Sequence, residues 1–348
     1  MSQRIPVGVL GATGMVGQHF VKFLANHPWF EITFVGASDR SAGKKYNEAT
    51  SWRLAGAMPD EVAGLTVSEC KPANAPKIVF SAMDASVATE IEQEFAKAGH
   101  TVVSNSRNHR MEADVPLLVP EINADHLGIL ALQKKNRGWS GQIVTNPNCS
   151  TIVLTMALGP LKQFGITRSV VTTMQAISGA GYPGVSSMDI TANVVPFIGS
   201  EEEKMETETQ KILGGCDGSV FTNHPVKLSA TCNRVPVVDG HLVSVSVELS
   251  SKPSEADVRA AIESFTAIPQ QLKLPSAPPR PVIYLPQQDR PQPRRDVERE
   301  NGMAVFVGRL RPCPVFDWKF LCLGHNTVRG AAGASVLNAE LMQAQGLI

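Results

Sequence analysis

The sequence predicts an α/β protein with two domains: a parallel sheet flanked by helices, followed by an α+β domain with a mixed sheet. Its 348 residues, 43 % of them apolar, suffice for two domains with sizeable cores. Up to about residue 150, short apolar runs alternate with segments of helical spacing, which is typical of β-α-β units. Beyond that point, apolar residues recur with a period of two, which favours a more antiparallel sheet covered by helices on one side.

The first half of the chain carries short apolar runs that we interpret as parallel strands. These strands are expected at 5–10, 31–37, 78–81, 101–103 and 143–145. Between them, apolar residues recur at helical spacing. One helix face would be formed by Val16, Phe20, Phe23, Leu24 and His27, and another by Val87, Ile91, Phe95 and Ala98.

The second half begins with a helix that is expected to follow residue 149. Strands are expected at 170–176, 243–249 and 305–307, with an apolar-rich segment at 316–323. A further helix is expected from Ser254, because Asp257 three residues later completes an approximate capping box. The segment 330–345 has helical spacing and is expected to pack back against the first domain.

Residues 275–301 differ in composition from the rest of the chain, with seven prolines and five arginines. We interpret this segment as an exposed, partly extended loop. The alternative is an arm that crosses over a site or a neighbouring subunit, where its arginines could add an anion contact.

Composition excludes several classes of protein. The 32 basic and 32 acidic residues give a formal net charge of zero, so the chain has no overall electrostatic attraction for nucleic acid or anionic lipid. No apolar run approaches the roughly 18 residues that cross a bilayer, and the N-terminus makes a poor signal peptide. The six cysteines form no CxxC pair, and we interpret them as reduced thiols. We therefore expect a cytoplasmic protein that binds neither nucleic acid nor membranes, and we predict no metal site.

A glycine-rich turn follows the first predicted strand. Gly11, Gly14 and Gly17 form the pattern GxxGxxG where a helix is expected to begin. Glycines let the backbone approach a pyrophosphate, whose charge is met by unpaired N–H groups and the positive end of the helix. This strand–turn–helix context predicts a dinucleotide site. The alternative is that the glycines serve only tight packing.

The residues after the second predicted strand bear on the choice of cofactor. An acidic side chain there favours a free 2′-hydroxyl on the adenosine ribose, whereas hydroxyls and cations favour a 2′-phosphate. Asp39 argues for NAD, while Ser38, Arg40, Ser41 and the lysine pair at 44–45 argue for NADP. We predict NADP; the alternative for the lysines is a solvated surface pair.

Cys149 is the candidate nucleophile, because the segment TNPNCST ends a predicted strand and opens an apolar helix. In the first helical turn, the helix dipole favours thiolate over thiol. Backbone N–H groups there, together with Asn148, could receive an oxyanion. The alternative is a small buried cysteine at the start of a packed helix.

A thiolate beside a nicotinamide can form a thiohemiacetal with an aldehyde, which loses hydride to give a thioester. Such chemistry also needs a base near the thiol and a cation for an anionic substrate. Arg234 and His241, seven residues apart around the Asp239-Gly240 turn, are candidates. Spacing alone does not bring His241 to Cys149.

The complete sequence resembles the aspartate-semialdehyde dehydrogenases, most closely the branch found in fungi and archaea. The similarity rests on long motifs that occur in order along nearly the whole chain. They are GATGMVG, SNSRNHRM, TNPNCST, MQAISGAGYPG, SEEEKMETET, TCNRVPVVDGH and GHNTVRGAAG.

The resemblance implies a Rossmann-like NADP-binding domain at 1–148, completed by a C-terminal helix at 328–348, and a catalytic, dimer-forming domain at 149–327. It implies interconversion of 4-phospho-L-aspartate and L-aspartate 4-semialdehyde, with NADP and phosphate, on the route to lysine, threonine and methionine. A homodimer or homotetramer is expected, with these small molecules as the other partners.

The resemblance also implies roles for individual residues. Cys149 would be the nucleophile, His241 the general acid/base and Gln175 the residue that orients the acyl intermediate. Substrate and phosphate would be held by Arg234, Glu201, Lys204, Arg110 and Asn148. Cofactor contacts are implied for Gly11, Thr13, Gly14, Met15, Val16, Ser38, Ser41, Ser81, Ser178 and Asn326.

Within this set, Arg234 matches the clamp on the substrate α-carboxylate and Glu201 the partner of its amino group. Lys204, Arg110 and Asn148 match a phosphate site. SNSRNHRM contains two arginines, so the choice between Arg107 and Arg110 stays open. The charges of Glu202, Glu203 and Glu206 are expected on a solvated face.

Three other functions share part of this pattern of residues. A malonyl-coenzyme A reductase would keep the thiol, the histidine and the cofactor site but take a thioester, and Glu201 argues against it because malonyl groups offer no cation. A catalytically silent NADP-binding sensor would be expected to lack the thiol, the histidine or the arginine, and all three are present. An N-acetyl-glutamyl-phosphate reductase fits the SEEEK and RVPVVDGH segments less well.

Overall fold

Two six-stranded sheets, one parallel and one mixed, organise the computed structural model, which describes residues 4–348. The predicted fold class is confirmed. The first sheet has the order β3-β2-β1-β4-β5-β6, the order of a doubly wound dinucleotide-binding fold. All its strand pairs are parallel.

The first half of the chain supplies this sheet and its helices. Its strands are β1 (Ile5–Leu10), β2 (Phe30–Ala37), β3 (Ser68–Glu69), β4 (Ile78–Ser81), β5 (Thr101–Ser104) and β6 (Gln142–Thr145). Its helices are α1 (Met15–Leu24), α2 (Tyr46–Ala49), α3 (Asp60–Ala63), α4 (Ala85–Lys97), α5 (Pro120–Asn123) and α6 (Leu130–Arg137). A short 3₁₀ segment, Ala124–Ile129, precedes α6. The expected strands and the two expected helices of this half are all present.

The second half supplies the mixed sheet. The strands of this half are β7 (Ile166–Gln175), β8 (Gly215–Cys216), β9 (Phe221–Thr222), β10 (Lys227–Arg234), β11 (His241–Leu249), β12 (Val282–Leu285), β13 (Val305–Pro312) and β14 (Trp318–Gly324). Of these, β8 and β9 form a separate two-stranded sheet. Its helices are α7 (Cys149–Leu158), α8 (Ser187–Ile190), α9 (Glu201–Leu213), α10 (Glu255–Glu263), α11 (Ile268–Gln271), α12 (Pro293–Asp296) and α13 (Gly333–Ala344). The 3₁₀ segments are Gly159–Phe164, Ile177–Ala180 and Arg299–Gly302. Ser254 caps α10 through the expected box with Asp257.

The second sheet has the order β10-β7-β11-β14-β13-β12 and is covered on one face only. Val243, Val245 and Val247 of β11 are fully buried against a core that includes α7 and α10. On the other face β7 presents Val170, which is 47 % exposed, and β11 presents half-buried Ser244. A sheet with one buried and one open face gives the period-two pattern seen in the sequence.

Residues 275–301 are not the exposed loop that was predicted. They contain β12, an edge strand paired in parallel with β13, and Val282, Ile283 and Leu285 are buried. Arg290 pairs with the fully buried Asp296 of α12, so this arginine has a structural partner. Pro281 and Pro286 lie on either side of the strand, so the prolines of this segment do not prevent strand formation.

Helix α9 covers the edge strand β10. Glu202 Oε1 accepts a hydrogen bond from the Cys232 N–H (2.9 Å), and Glu206 Oε1 accepts one from the Ala230 N–H (3.0 Å). The prediction of a solvated face is therefore wrong for Glu202 and Glu206, whose carboxylates accept hydrogen bonds from backbone N–H groups at the outer edge of the sheet. Glu203 is exposed, as expected.

The chain ends by returning to the first sheet, as predicted. A π-helical turn, Val328–Ala332, leads into α13. Val336 and Ala339 of α13 belong to the same apolar cluster as Val7 and Phe20. Within residues 4–348, no helix is long and apolar enough to cross a membrane.

Candidate active site

A cleft of about 480 Å³ lies where the carboxyl ends of the parallel strands meet the second sheet. Parallel sheets bind ligands at this edge. The cleft brings together predicted residues from across the chain. They are Met15, Val16, Arg110, Asn148, Cys149, Ser178, Glu201, Lys204, Arg234 and Asn326. Arg107 also lines it.

Cys149 lines this cleft, and the fully buried His241 contacts Cys149. Cys149 is the first residue of α7, and its Sγ lies 3.2 Å from Nε2 of His241, the first residue of β11. The Ala176 N–H donates to Nδ1 of the same ring (3.1 Å). Because Nδ1 accepts this bond, the neutral imidazole carries its proton on Nε2 and donates it toward the sulfur. The fold thus supplies the contact that sequence spacing did not.

The surroundings of the Cys149 thiol favour its neutral form. Burial raises its pKa to about 12; the Glu201 carboxylate adds to this, whereas the Arg110 and Arg234 guanidinium groups oppose it. The expectation that the helix dipole would give a thiolate is not supported. Burial likewise lowers the pKa of His241 to about 3, with a smaller effect from Arg234.

Arg234 and Gln175 lie at the ends of the paired strands β10 and β7. Arg234 Nη1 donates to the Ala176 carbonyl (2.7 Å), which fixes the guanidinium beside His241. A Cβ added to Gly179 would lie 2.9 Å from Arg234 Nη1 and 3.0 Å from His241 Cε1. Gln175 is buried, and its Nε2 donates to the Thr173 hydroxyl at 3.3 Å. Only a glycine at 179 leaves room for both functional side chains.

Asn148 joins the nucleophile helix to Glu201. Its Oδ1 accepts from the N–H groups of Ser150 (2.9 Å) and Thr151 (3.1 Å) and so caps α7. Its Nδ2 donates to Glu201 Oε1 (2.8 Å). Lys204 Nζ lies 3.4 Å from Glu201 Oε2. Glu201 therefore sits between an amide and an ammonium group.

Arg110 is held by a carboxylate that sequence reasoning missed. Its Nη1 donates to Glu208 Oε1 (3.0 Å), and its Nη2 donates to the Asn105 carbonyl (2.9 Å). Both charged residues are buried. Arg107, by contrast, is exposed at the rim. The motif SEEEKMETET contains Glu208, but nothing in its spacing singled it out from the other glutamates.

The glycine-rich turn fits a bound dinucleotide. A Cβ on Gly11 (φ +75°) would lie 2.7 Å from the Ala82 carbonyl oxygen, and one on Gly17 would lie 2.2 Å from the Gly11 oxygen. Both glycines are therefore required for packing between strand and helix. Gly14, the N-cap of α1, is exposed and has no side-chain cap. Its free helix end is the part that can meet a phosphate.

The other predicted cofactor residues fall into two groups. Ser178 and Asn326 are joined by a 2.8 Å hydrogen bond at the cleft, while Ser38 and Ser41 follow β2 beyond it. Ser81 is different: it is fully buried, and its hydroxyl donates to the buried Glu92 (2.6 Å). The Ser81 side chain thus faces the interior of the first domain and leaves only its backbone for a cofactor.

Gly330 is a second residue that the sequence did not single out. A Cβ there would lie 2.8 Å from Cβ of Cys149, so the π-helical turn abuts the nucleophile. Among residues 4–348, no group of three or more His, Cys, Asp or Glu side chains is placed to hold a metal ion.

Comparison with known proteins agrees with this geometry. Residues 6–129 match the family model described as "Semialdehyde dehydrogenase, NAD binding domain", and residues 158–329 match "Semialdehyde dehydrogenase, dimerisation domain". Over 346 residues the chain is 49 % identical to the aspartate-semialdehyde dehydrogenase of Archaeoglobus fulgidus, covering 99 % of this chain and 100 % of that one. The chain belongs to the aspartate-semialdehyde dehydrogenase family. The resemblance seen in its motifs is confirmed.

Fungal members of the family are equally similar. The aspartate-semialdehyde dehydrogenase of Schizosaccharomyces pombe is 49 % identical over 354 residues, which cover 98 % of this chain and 99 % of that one. The crystal structure of aspartate-semialdehyde dehydrogenase with NADP from Candida albicans superposes with a TM-score of 0.92 at 44 % identity, covering 99 % of this chain and all of that one. The fold, the enzyme class and the relation to both archaeal and fungal relatives are therefore as predicted.

Proposed function

We propose that this aspartate-semialdehyde dehydrogenase family member reduces 4-phospho-L-aspartate to L-aspartate 4-semialdehyde with NADPH, and catalyses the reverse reaction with phosphate. The observation that carries the proposal is the 3.2 Å contact between Cys149 Sγ and His241 Nε2 in a cleft that also holds Arg110, Lys204 and Arg234. A thiol, an imidazole and a set of cations are the groups that acyl transfer from an anionic acyl phosphate requires.

The nucleophile is Cys149. After its thiol proton has passed to solvent, the sulfur attacks the acyl carbon, the bond from that carbon to the phosphate oxygen breaks, phosphate leaves with the bonding electrons, and a thioester forms on the enzyme. The proton on His241 Nε2 points at this sulfur, so it also lies close to the carbonyl oxygen of the bound acyl group. Because the Ser150 and Thr151 N–H groups are bonded to Asn148 Oδ1, the Cys149 N–H is the donor of this turn proposed to stabilise the negative charge on that oxygen in both tetrahedral intermediates.

Ionisation of the thiol depends on the bound substrate. Burial and the nearby Glu201 carboxylate raise the pKa of the thiol and so favour its neutral form. The ammonium group of the substrate, held by Glu201, would neutralise that carboxylate and lower the pKa of the thiol. Nucleophilic attack is thereby coupled to recognition of the correct substrate.

Substrate specificity follows from the charges around Cys149. Arg234, fixed through the Ala176 carbonyl, is the proposed partner of the α-carboxylate, and Gln175 is proposed to orient the acyl group. Lys204 and Arg110 are the proposed phosphate ligands, together with Asn148. Arg110 is favoured over Arg107 because it is buried and anchored, whereas Arg107 is exposed.

When bound, NADPH would supply the hydride that reduces the thioester, and oxidised NADP would accept it in the reverse direction. The residues proposed to hold it are Gly11, Thr13, Gly14, Met15, Val16, Ser38, Ser41, Ser178 and Asn326. Support comes from the free N-terminus of α1 at Gly14 and from the hydroxyls that follow β2.

The domain organisation is proposed as 1–148 with 328–348 for NADP and 149–327 for catalysis and dimerisation. Packing of α13 against β1 and α1 supports the first of these. We propose a cytoplasmic homodimer or homotetramer that assembles through the open face of the second sheet, which carries Val170.

The proposed activity is tested by mixing the enzyme with aspartate semialdehyde, NADP and phosphate. NADPH should form only when phosphate is present. Cys149→Ala should abolish turnover while NADP binding, measured by calorimetry, is retained. Comparable turnover of malonyl-coenzyme A without any response to phosphate would refute the proposal, and persistent activity of Cys149→Ala would refute the assignment of the nucleophile.

A further inference from the structure

One face of α9 carries four charged residues at helical spacing: Glu201, Lys204, Glu208 and Lys211. The first two reach the cleft. The last two are buried, with Glu208 2 % exposed and Lys211 3 % exposed. Burial of two charged side chains is costly unless each is fully paired, so their partners show what the helix holds in place.

Glu208 bridges the two halves of the active site. Its Oε1 accepts from Arg110 Nη1 (3.0 Å), and its Oε2 accepts from the Asn148 N–H (2.7 Å). Asn148 is the residue before Cys149, and Arg110 belongs to the first half of the chain. A single carboxylate therefore fixes the position of a guanidinium group relative to the nucleophile.

Two hydrogen bonds anchor the Arg110 guanidinium, and the residue also lines the cleft. Nη1 is bonded to Glu208 and Nη2 to the Asn105 carbonyl, while its buried Nε has no partner among the described residues. Arg110 also lines the cleft beside Lys204 and Cys149. The two anchors leave donors of the same rigid group for an anion in the cleft.

Lys211 holds the backbone of the same loop. Its Nζ donates to the carbonyls of Arg110 (2.8 Å), Glu112 (2.9 Å) and Val115 (2.8 Å). Lys211 thus secures the main chain, but it does not contact the guanidinium group. Of the two buried residues, only Glu208 controls where that group points.

We propose that Glu208 is a positioning residue for the phosphate subsite: it aims Arg110 at the phosphate of the substrate and keeps that subsite at a fixed distance from Cys149. The proposal rests on the proposed function, which places phosphate at Arg110. A guanidinium group held in place before binding loses less freedom when phosphate arrives, so affinity for phosphate depends on Glu208 without any direct contact.

The test is Glu208→Gln in the full-length enzyme. The oxygen of the new amide can still accept a hydrogen bond from the Asn148 N–H. Its NH2 group then faces the Arg110 guanidinium, and no hydrogen bond forms between them because both groups are donors. We expect the KM for phosphate in the oxidative direction to rise about tenfold or more, because a charge-assisted bond that fixes Arg110 is lost. KM for NADP should change less than about twofold, because the helix end at Gly14 is untouched.

The matched control is Glu203→Gln, which removes an exposed carboxylate from the same helix and should leave both KM values unchanged. Glu208→Asp keeps the charge on a shorter side chain and should give an intermediate KM for phosphate. It also serves as the main variant if Glu208→Gln does not fold.

A double-mutant cycle separates positioning from general stability. Once Arg110 is replaced by alanine, Glu208→Gln should raise the KM for phosphate no further, because its effect acts through Arg110. Additive effects, or an unchanged KM for phosphate in Glu208→Gln, would overturn the inference. Calorimetry with inorganic phosphate gives the same comparison without turnover, so the role of Glu208 and the proposed reaction can fail independently.

Discussion

At the scale of single residues, the space behind the nucleophile is set by Gly330. The distance of 2.8 Å between an added Cβ and Cβ of Cys149 is shorter than real Cβ contacts. The added Cβ would also lie only 3.1 Å from Cα of Cys149, so it would meet backbone, which cannot move aside as a flexible side chain can. Any side chain at 330 therefore displaces the sulfur from His241.

Gly330→Ala should lower kcat at least about tenfold, because a shift of a fraction of an ångström already spoils alignment of reacting atoms. Steady-state kinetics measures this, with circular dichroism to check the fold. The control is Gly64→Ala, where an added Cβ meets no atom within 4 Å. Normal kcat in Gly330→Ala would mean that the turn can retreat from Cys149.

The raised pKa of Cys149 predicts how the empty enzyme reacts with iodoacetamide. The thiolate is the reactive form, and its fraction grows tenfold per pH unit as long as the pH lies well below the pKa of about 12. Inactivation should accelerate about tenfold per unit between roughly pH 6 and 9 without a plateau. A plateau near neutral pH would indicate a thiolate stabilised by His241 and would contradict this pKa.

The sequence motifs predicted which residues form the site better than they predicted the ionisation of those residues. Cys149 was found because its polar neighbours and the following helix are local features. The helix dipole was expected to favour the thiolate, whereas burial by residues that arrive from β11 and α9 raises the pKa of this thiol. Glu208 and Gly330 act through contacts with distant parts of the chain, so no local spacing marks them.

At the scale of elements, the π-helical turn behind Cys149 is fastened by a buried ion pair. Arg329 Nη1 and Nη2 donate to Glu121 Oε1 (2.8 Å) and Oε2 (2.6 Å) of α5. Both side chains are fully buried. The pair holds the turn, and with it Gly330, against the start of α7.

Arg329→Met should lower the free energy of unfolding by about 3–5 kcal/mol, because it leaves the Glu121 charge buried without a partner. Adding Glu121→Leu should restore much of this loss. Denaturant titration measures both. Arg295→Met, at a 4.0 Å pair on the surface, is the control and should cost less than about 1 kcal/mol. If the single and double variants lost the same free energy of unfolding, the unpaired Glu121 charge would not be the cause of the loss.

Strand β10 and segment 275–301 show where element prediction fails. In β10 the inward positions are Ala230 and Cys232, which are too small to give a clear apolar alternation. In 275–301 the prolines and arginines suggested a loop, whereas only the short run at 282–285 is a strand. Both are edge strands: the buried apolar side chains of β10 are small, whereas β12 has large ones but is only four residues long and is flanked by prolines.

At the scale of the whole molecule, the two halves are joined by the return of the chain to the first sheet. The fully buried Glu340 of α13 accepts from His27 Nε2 (2.7 Å) after α1 and from the Ser276 hydroxyl (2.6 Å) before β12. One carboxylate thus links the first, middle and last parts of the chain. The return helix was predicted, because its apolar spacing is regular, but these polar links were not.

The proposed assembly can be tested on the open sheet face. Val170→Lys should convert the oligomer into single chains in light scattering, because a charge would be buried on both copies. Val87→Lys on α4 is the control, since its side chain is similarly exposed (45 % against 47 %) but lies on the first domain. An unchanged mass for Val170→Lys would exclude this face as the interface.

The borders of the second sheet limit how copies of the protein can meet. Along β10, the outward N–H groups of Ala230 and Cys232 are already bonded to Glu206 and Glu202. At the opposite border, β12 has only four residues and lies between Pro281 and Pro286. Neither border offers a long template for another strand, so edge-to-edge pairing of this sheet between copies is disfavoured.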